Sequence, residues 1–242
     1  MIIFTHHTGE PHGILGAQVA ATFFQRKLLI PSIVVGVRRD FSKERLFGFI
    51  DKYYEREEKV VAFSHLCGRK DLIGLAQELK QMGFITLLGG PQARQDYYGE
   101  PETNSHPHRF RGLRAVMDIG FHGPVDGLNL EHLKRGGTFL EHSWEKNIFL
   151  EVDWSNLYTF SDTLKKLDVQ LGQVLHAVGC PYSKKTQTVV LPPPVLLRGK
   201  GIPEIKVRSE GCIFCDVSRD KGYHGSLEMD RVLAQMEGLP EV

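Results

Sequence analysis

The chain is poor in several things that would have named a function class at once. Four cysteines in 242 residues are too few for a disulfide framework. No charge of one sign dominates: 30 Lys and Arg against 29 Asp and Glu leave a net charge of +1. A broad field for nucleic acid or an anionic membrane is thereby excluded, and no basic stripe accompanies the aromatic pairs Phe23-Phe24, Tyr53-Tyr54 and Tyr97-Tyr98. Nowhere do about 18 apolar residues run together, which argues against a membrane span. The opening MIIFTHHTGEPHG lacks the basic region and long apolar run of a secretory signal, so a cytoplasmic location is expected. Internal repeats, low-complexity tracts, a Ser-His-Asp order, a P-loop and a Gly-x-Gly-x-x-Gly after a strand are all missing. What is present is an ordinary globular composition, 41% hydrophobic and 24% charged, which excludes disorder.

Short apolar runs alternate with amphipathic stretches through the first half, the pattern of a parallel sheet with helices on both faces. Strands are expected at Met1–Thr5, Ser32–Val37, Val60–Ser64, Phe84–Leu88 and Ala115–Phe121. Helices are expected at about Leu15–Lys27, Lys43–Glu57 and Asp71–Met82, the last with Leu72, Leu75, Ala76 and Leu79 on one face. The fold class is therefore α/β: an open, doubly wound, flavodoxin-like or Rossmann-like sheet of five mostly parallel strands, followed by a smaller irregular C-terminal region. Asp96–Arg111, rich in Pro, Gly, Asn and His, reads as a surface excursion or an irregular replacement for a helix. The α/β domain is assigned to 1–130 and a linker or wrapping region to 131–204. In that region Phe149–Val152 reads as a strand, Phe160–Leu175 as helical and Thr188–Gly201 as a Pro-rich extended arm. A strand-loop-helix unit occupies 205–242, with Ile205–Val207 as strand and Ser226–Glu237 as helix.

In open parallel sheets ligands sit beyond the carboxyl ends of the strands, so the loops there are the candidates for a site. They are THHTGEPHG, SHLCG, GGP and HGPVDG, where glycines let a ligand approach the backbone and small hydroxyls such as Ser64 offer a hydrogen bond without bulk. Ser64-His65-Leu66 and Gly89-Gly90-Pro91 resemble the Ser-x-Leu and Gly-Gly signatures of the cobalamin-binding domains fused to radical S-adenosylmethionine (SAM) enzymes. Gly123-Pro124-Val125-Asp126 is similar to the Gly-x-Gly-Glu turn that closes such domains, and His6-His7-Thr8-Gly9 keeps their His-x-x-Gly. The resemblance implies cobalamin as cofactor, with His6, Gly9, Ser64, Leu66, Gly89, Gly90 and Gly123 around it. Phe4 stands where the cobalt-ligating version of the family has Asp, so the lower axial position is unassigned.

Near the C-terminus, Gly211-Cys212-Ile213-Phe214-Cys215 resembles part of the cysteine loop that opens the radical SAM barrel, whose three thiolates hold a [4Fe–4S] cluster. Arg208 occupies the position of the first cysteine. Gly179-Cys180-Pro181-Tyr182 looks like the start of the same loop, so the resemblance implies Cys180, Cys212 and Cys215 as the ligands, with SAM on the open iron. Two plainer readings stand beside it: Cys212 and Cys215 as a partial zinc or redox site, with Cys180, His176 and His224 available as further ligands, or as reduced thiols in a turn. A barrel needs at least about 200 residues and only 216–242 follow Cys215, so catalysis by this chain alone is not expected. The chain then reads as a fragment or a cofactor-capturing relative, working with a separate catalytic barrel or as a homo-oligomer. If complete, it would serve methyl transfer or a radical rearrangement.

His6, His7, His12, His65 and His122 all fall in loops at the same edge, although each alone is ordinarily a solvated loop residue. Two rival readings follow: a metal-binding or regulatory module holding Zn or iron, and a partner-binding α/β domain without cofactor.

Overall fold

The computed structural model describes all residues except 65, 67–68, 101–109, 135, 146, 180–185, 198, 202, 211–222 and 241–242. Two compact units are formed. The first comprises Met1–Ser143, Ile148–Val174 and Leu233–Val242; the second comprises Trp144–Asn147 and Leu175–Val232.

The first unit is built on an eight-stranded, mostly parallel sheet. Its strands are β1 (Ile2–His6), β2 (Ile33–Val37), β3 (Val60–Ser64), β4 (Ile85–Gly89), β5 (Ile119–His122), β6 (Thr138–Glu141), β7 (Leu157–Phe160) and β8 (Leu164–Lys166). They lie in the order β6-β5-β4-β3-β1-β2-β7-β8, with only β8 antiparallel to its neighbour. The chain leaves β1 toward β2 and returns to β3 on the other side, so the order reverses at β1 and β3, the switch point where open α/β sheets take ligands.

Alternation along each strand divides the core in two. Ile2 and Phe4 of β1 and Val61 and Phe63 of β3 face a cluster completed by α2 (Lys43–Tyr53), α3 (Lys70–Gln81) and α4 (Ala93–Tyr98). Ile3, Val60 and Ala62 point the other way, onto α1 (Leu15–Lys27), α5 (Leu130–Lys134) and Trp154. Helix α3 shows why these elements form: Leu72, Leu75, Ala76 and Leu79 recur at helical spacing and are all buried. Each such leucine contributes about 1.5–3 kcal/mol on burial. Gly83, at φ +85°, reverses the chain just past the helix, and the Phe84 amide donates back to the Leu79 carbonyl.

The expected doubly wound α/β fold is present, but its sheet is wider than five strands. Residues 131–204 were expected to be linker, yet they supply β6, β7 and β8. Phe149–Val152 is not a strand, although Phe149 and Val152 pack on the core. Phe160–Leu175 is not helical: β7 ends at Phe160, a turn follows, and Leu167 and Val169 contact the core at a spacing of two. The excursion after β4 begins with the short helix α4. Its two ends are drawn together where Gly99 (φ +77°) crosses Gly112 (φ +76°), so closely that a Cβ on either would fall 2.4 Å from backbone atoms of the other stretch.

In the second unit β10 (Thr186–Leu191) and β11 (Ile205–Glu210) form an antiparallel ribbon, and β9 (Ala177–Gly179) pairs with β12 (Tyr223–Ser226). The expected Pro-rich arm thus begins as a strand. Pro192 follows directly after β10, where a missing N–H interrupts no ladder. Helix α6 (Met229–Glu237), most of which belongs to the first unit, matches the expected C-terminal helix.

Candidate functional site

The carboxyl ends of β1, β3 and β4 are neighbours in the sheet, which brings three of the sequence-singled loops to one edge. Ser64, the last residue of β3, lies directly opposite Gly89, the last of β4. A Cβ placed on Gly89 would meet only Leu87 Cδ2, at 3.8 Å, so the fold does not itself need a glycine there. Gly90 follows at φ +109°, a conformation that side chains resist, and its carbonyl accepts from the Ala93 amide as α4 begins. His6 closes β1 next to β3 on one side and opposite Val37 of β2 on the other.

The remaining expected contacts have other roles. Leu66 is buried in the core cluster of α2 and α3, so it anchors the loop from below. The Gly9 amide donates to His7 Nδ1 at 2.9 Å, which commits it to the loop's own turn. Gly123, at φ +120°, admits the chain after β6: a Cβ would lie 2.1 Å from the His142 carbonyl oxygen. His65, Cys180, Cys212 and Cys215 lie outside the described residues. Among the described residues no group of three or more His, Cys, Asp or Glu side chains is arranged to hold a metal ion.

The residue that sequence reading missed is Arg69. It opens α3 and is 2% exposed, among the largest fully buried side chains of the protein. Its Nε donates to Asp71 Oδ1 at 2.9 Å and Nη2 to Asp71 Oδ2 at 2.6 Å. Nη1 donates to His6 Nδ1 at 2.9 Å and to the Val37 carbonyl at 2.8 Å, and Nη2 also reaches the Arg38 carbonyl at 3.4 Å. All five guanidinium hydrogens therefore have acceptors, drawn from the ends of β1 and β2 and the start of α3. Arg69 is a strut across the switch point, and these hydrogen bonds hold the Asp71 carboxyl below the usual carboxylate range.

His7 is likewise structural. It is 3% exposed and packs across Gly36 of β2, where a Cβ would stand 2.3 Å from His7 Cβ. Nδ1 accepts from the Gly9 amide, so Nε2 carries the proton and donates to the His12 carbonyl at 2.9 Å. Burial pushes its pKa below the ordinary imidazole value. The His12 ring lies against it, centroids 4.7 Å apart.

The first turn of α1, where this fold class commonly takes a phosphate, is filled by the chain itself. The Gly13 amide donates to the Leu171 carbonyl at 2.9 Å and the Ile14 amide to Gln18 Oε1 at 2.8 Å. The Leu15 amide donates to Gln173 Oε1 at 3.3 Å. Further along the edge, His122 of β5 is buried with Nδ1 3.7 Å from Glu141 of β6, and Glu141 also pairs with Arg94 at 3.0 Å. Among the described residues no helix is long and apolar enough to cross a membrane. No family model, no curated protein and no solved structure matches the chain.

Proposed function

We propose that this chain captures cobalamin along the carboxyl edge of β1, β3 and β4, as the cofactor-holding part of a radical SAM-type system. The observation that carries the reading is the register of Ser64 against Gly89, next to β1 at the reversal of strand order. Two small residues end adjacent strands there, and Gly89 has room for a Cβ that the sequence does not supply. Such a cradle suits a broad, flat ligand whose face must come close to the backbone, and a hydroxyl at Ser64 can meet a polar substituent on its rim. The bound corrin would supply the methyl-transfer or radical chemistry, while the chain holds and orients it. The filled first turn of α1 supports the same choice, since a ligand anchored by phosphate would meet amides already in use. Cys180, Cys212 and Cys215 belong to the proposal as ligands of a [4Fe–4S] cluster that presents SAM, with the barrel provided by another chain or a further copy.

Gly89→Val tests the cradle, because a Cβ at Gly89 meets nothing nearer than Leu87 Cδ2, at 3.8 Å, in the folded protein. Full-length protein incubated with hydroxocobalamin and desalted should retain the corrin absorbance in the wild type and lose it in Gly89→Val. Unfolding free energies of the two should agree within about 1 kcal/mol. A colourless wild-type protein, or a Gly89→Val protein that stays equally red, would refute the assignment.

A further inference from the structure

Charge and apolar surface are unevenly spread over the second unit. Between Lys184 and Glu210 six Lys and Arg stand against two Glu, a net of +4 in a chain whose total is +1. The β10–β11 ribbon orders this excess. Its strands are joined by residues 192–204, beyond the Leu191–Ile205 pair, so that connection is the tip of the ribbon. There Val195 is 72% exposed and Leu196 88%. Behind the tip the exposed Val190 lies directly opposite the exposed Lys206, and two residues further Thr188 lies opposite Arg208. Strand alternation puts these four on one face. Arg208, which stands in the place of the first cysteine of the radical SAM loop, is thus part of a basic surface. Among the described residues no carboxylate is within ion-pair distance of Lys200, Lys206 or Arg208, whereas Arg26, Lys43 and Arg94 each have one at 2.6–3.0 Å. The two glutamates lie at the ends of β11, Glu204 just before it and Glu210 at its close.

We propose that the tip of this ribbon docks the chain on an anionic phospholipid bilayer, with Val195 and Leu196 among the acyl chains and Lys200, Lys206 and Arg208 at the lipid phosphates. The order of side chains along the ribbon is that of a leaflet met from its interior outward. Aliphatic residues come first, then an aliphatic beside a cation, then a cation beside a hydroxyl. At about 3.3 Å per residue, Arg208 stands about 7 Å behind Lys206, within the depth over which acyl chains give way to headgroups. Pro192, Pro193 and Pro194 fix their own φ angles, so the tip is held extended without a core beneath it. Exposed aliphatic side chains add nothing to folding, and a patch of them with a basic border marks a surface for a partner. A lipid surface fits this one better than nucleic acid does. A ribbon entering a duplex groove meets phosphates on both sides, yet Lys206 and Arg208 share one face, and a single strand is held by stacking rings, while the exposed tip residues are aliphatic. The absence of a broad field and of a membrane span still holds, because this docking is local and peripheral. It does not depend on the cobalamin reading.

The test is co-sedimentation of the full-length protein with vesicles of phosphatidylcholine, either pure or containing about one-third phosphatidylserine. The wild type should bind the mixed vesicles, bind the pure ones at least about tenfold more weakly, and be released from the mixed ones by about 0.5 M salt. Replacing Lys206 and Arg208 together by glutamine should weaken binding roughly 25-fold, at about fivefold per cation. Leu196→Asn should lose about tenfold or more, the worth of one buried aliphatic side chain. Leu196→Trp reports the depth of the tip: brominated acyl chains should quench its fluorescence beyond the level seen in the wild type, which contains only Trp144 and Trp154. All replaced side chains are exposed, so each variant should unfold at the wild-type temperature in the absence of vesicles. Absence of binding to the mixed vesicles, equal binding to pure phosphatidylcholine, variants that bind like the wild type, or an unquenched tryptophan at position 196 would overturn the proposal. So would tighter binding to duplex DNA at equal phosphate concentration, or a dimer in sedimentation equilibrium that Leu196→Asn dissociates.

Discussion

Replacing Arg69 with methionine preserves length and apolar bulk while removing all five donors, and the structure sets the size of the result. The buried Val37 carbonyl and the part-buried His6 Nδ1 each lose the Arg69 guanidinium as a partner. A buried acceptor left unmade costs about 1–3 kcal/mol. Asp71 also loses its cation, but its side chain is 34% exposed and turns to solvent, so its loss adds little. The sum is about 3 kcal/mol, at the low end of the 3–5 expected for breaking a fully buried ion pair. For a chain of this length that corresponds to a fall in Tm of roughly 6–12 °C, measured by thermal or urea unfolding. Arg69→Lys keeps the charge but not the planar fork, and should recover less than half of the loss. The ion pair also carries a pH signature. A carboxyl held low in the folded state contributes stability above its unfolded value, 3.8, and loses it as pH falls through the folded value. The gap between wild type and Asp71→Asn should thus be constant above pH 5 and close in more acid solution. An Arg69→Met protein within about 1 kcal/mol of wild type, or a full rescue by Arg69→Lys, would refute the account of Arg69 as a saturated strut.

Gly36→Ala should destabilise by about 1–3 kcal/mol in urea unfolding, because its Cβ would collide with His7 Cβ, and should change the environment of the His7 ring in a nitrogen–proton correlation spectrum. Stability should also decline as pH falls from 8 toward 6. The α-amino group of Met1 is buried and donates to the Pro31 carbonyl and to Tyr53, and burial lowers its pKa from 8.0 to about 6. His7 is lowered for the same reason. Both groups protonate in the unfolded chain before they do in the folded one, so acid favours unfolding across that interval. A flat stability profile between pH 8 and 6 would contradict it.

Local pattern made β1 to β4 and α1 to α3 legible, because each buries one face with a period of two or 3.6 within a single short segment. The edges of the sheet were not legible. Strand β6 is four residues long and partly exposed, and β7 joins β2 across more than a hundred residues, a pairing no local pattern encodes. Helix α4 escaped because only Ala93 and Tyr97 of its six residues are buried. The spatial convergence of Ser64, Gly89 and His6 followed from the strand order alone. Arg69 was invisible for the opposite reason. In the run Gly68-Arg69-Lys70-Asp71 an arginine reads as solvated, and its burial is decided by carbonyl groups of β2 and a histidine of β1. The only local hint is Asp71 two residues on, at the start of a helix directly after a strand.

The segment 169–173 that closes the first turn of α1 has a consequence for selectivity. Flavins, nicotinamide dinucleotides and nucleoside triphosphates all announce themselves to folds of this kind by a phosphate, and every cell is crowded with them. Here a glutamine carboxamide and a peptide carbonyl already accept from the Leu15 and Gly13 amides, so a phosphate seated at those two amides would have to displace them. On the proposed reading, recognition falls instead to the edge where β3 and β4 end, on the other side of β1, with shape as its main criterion.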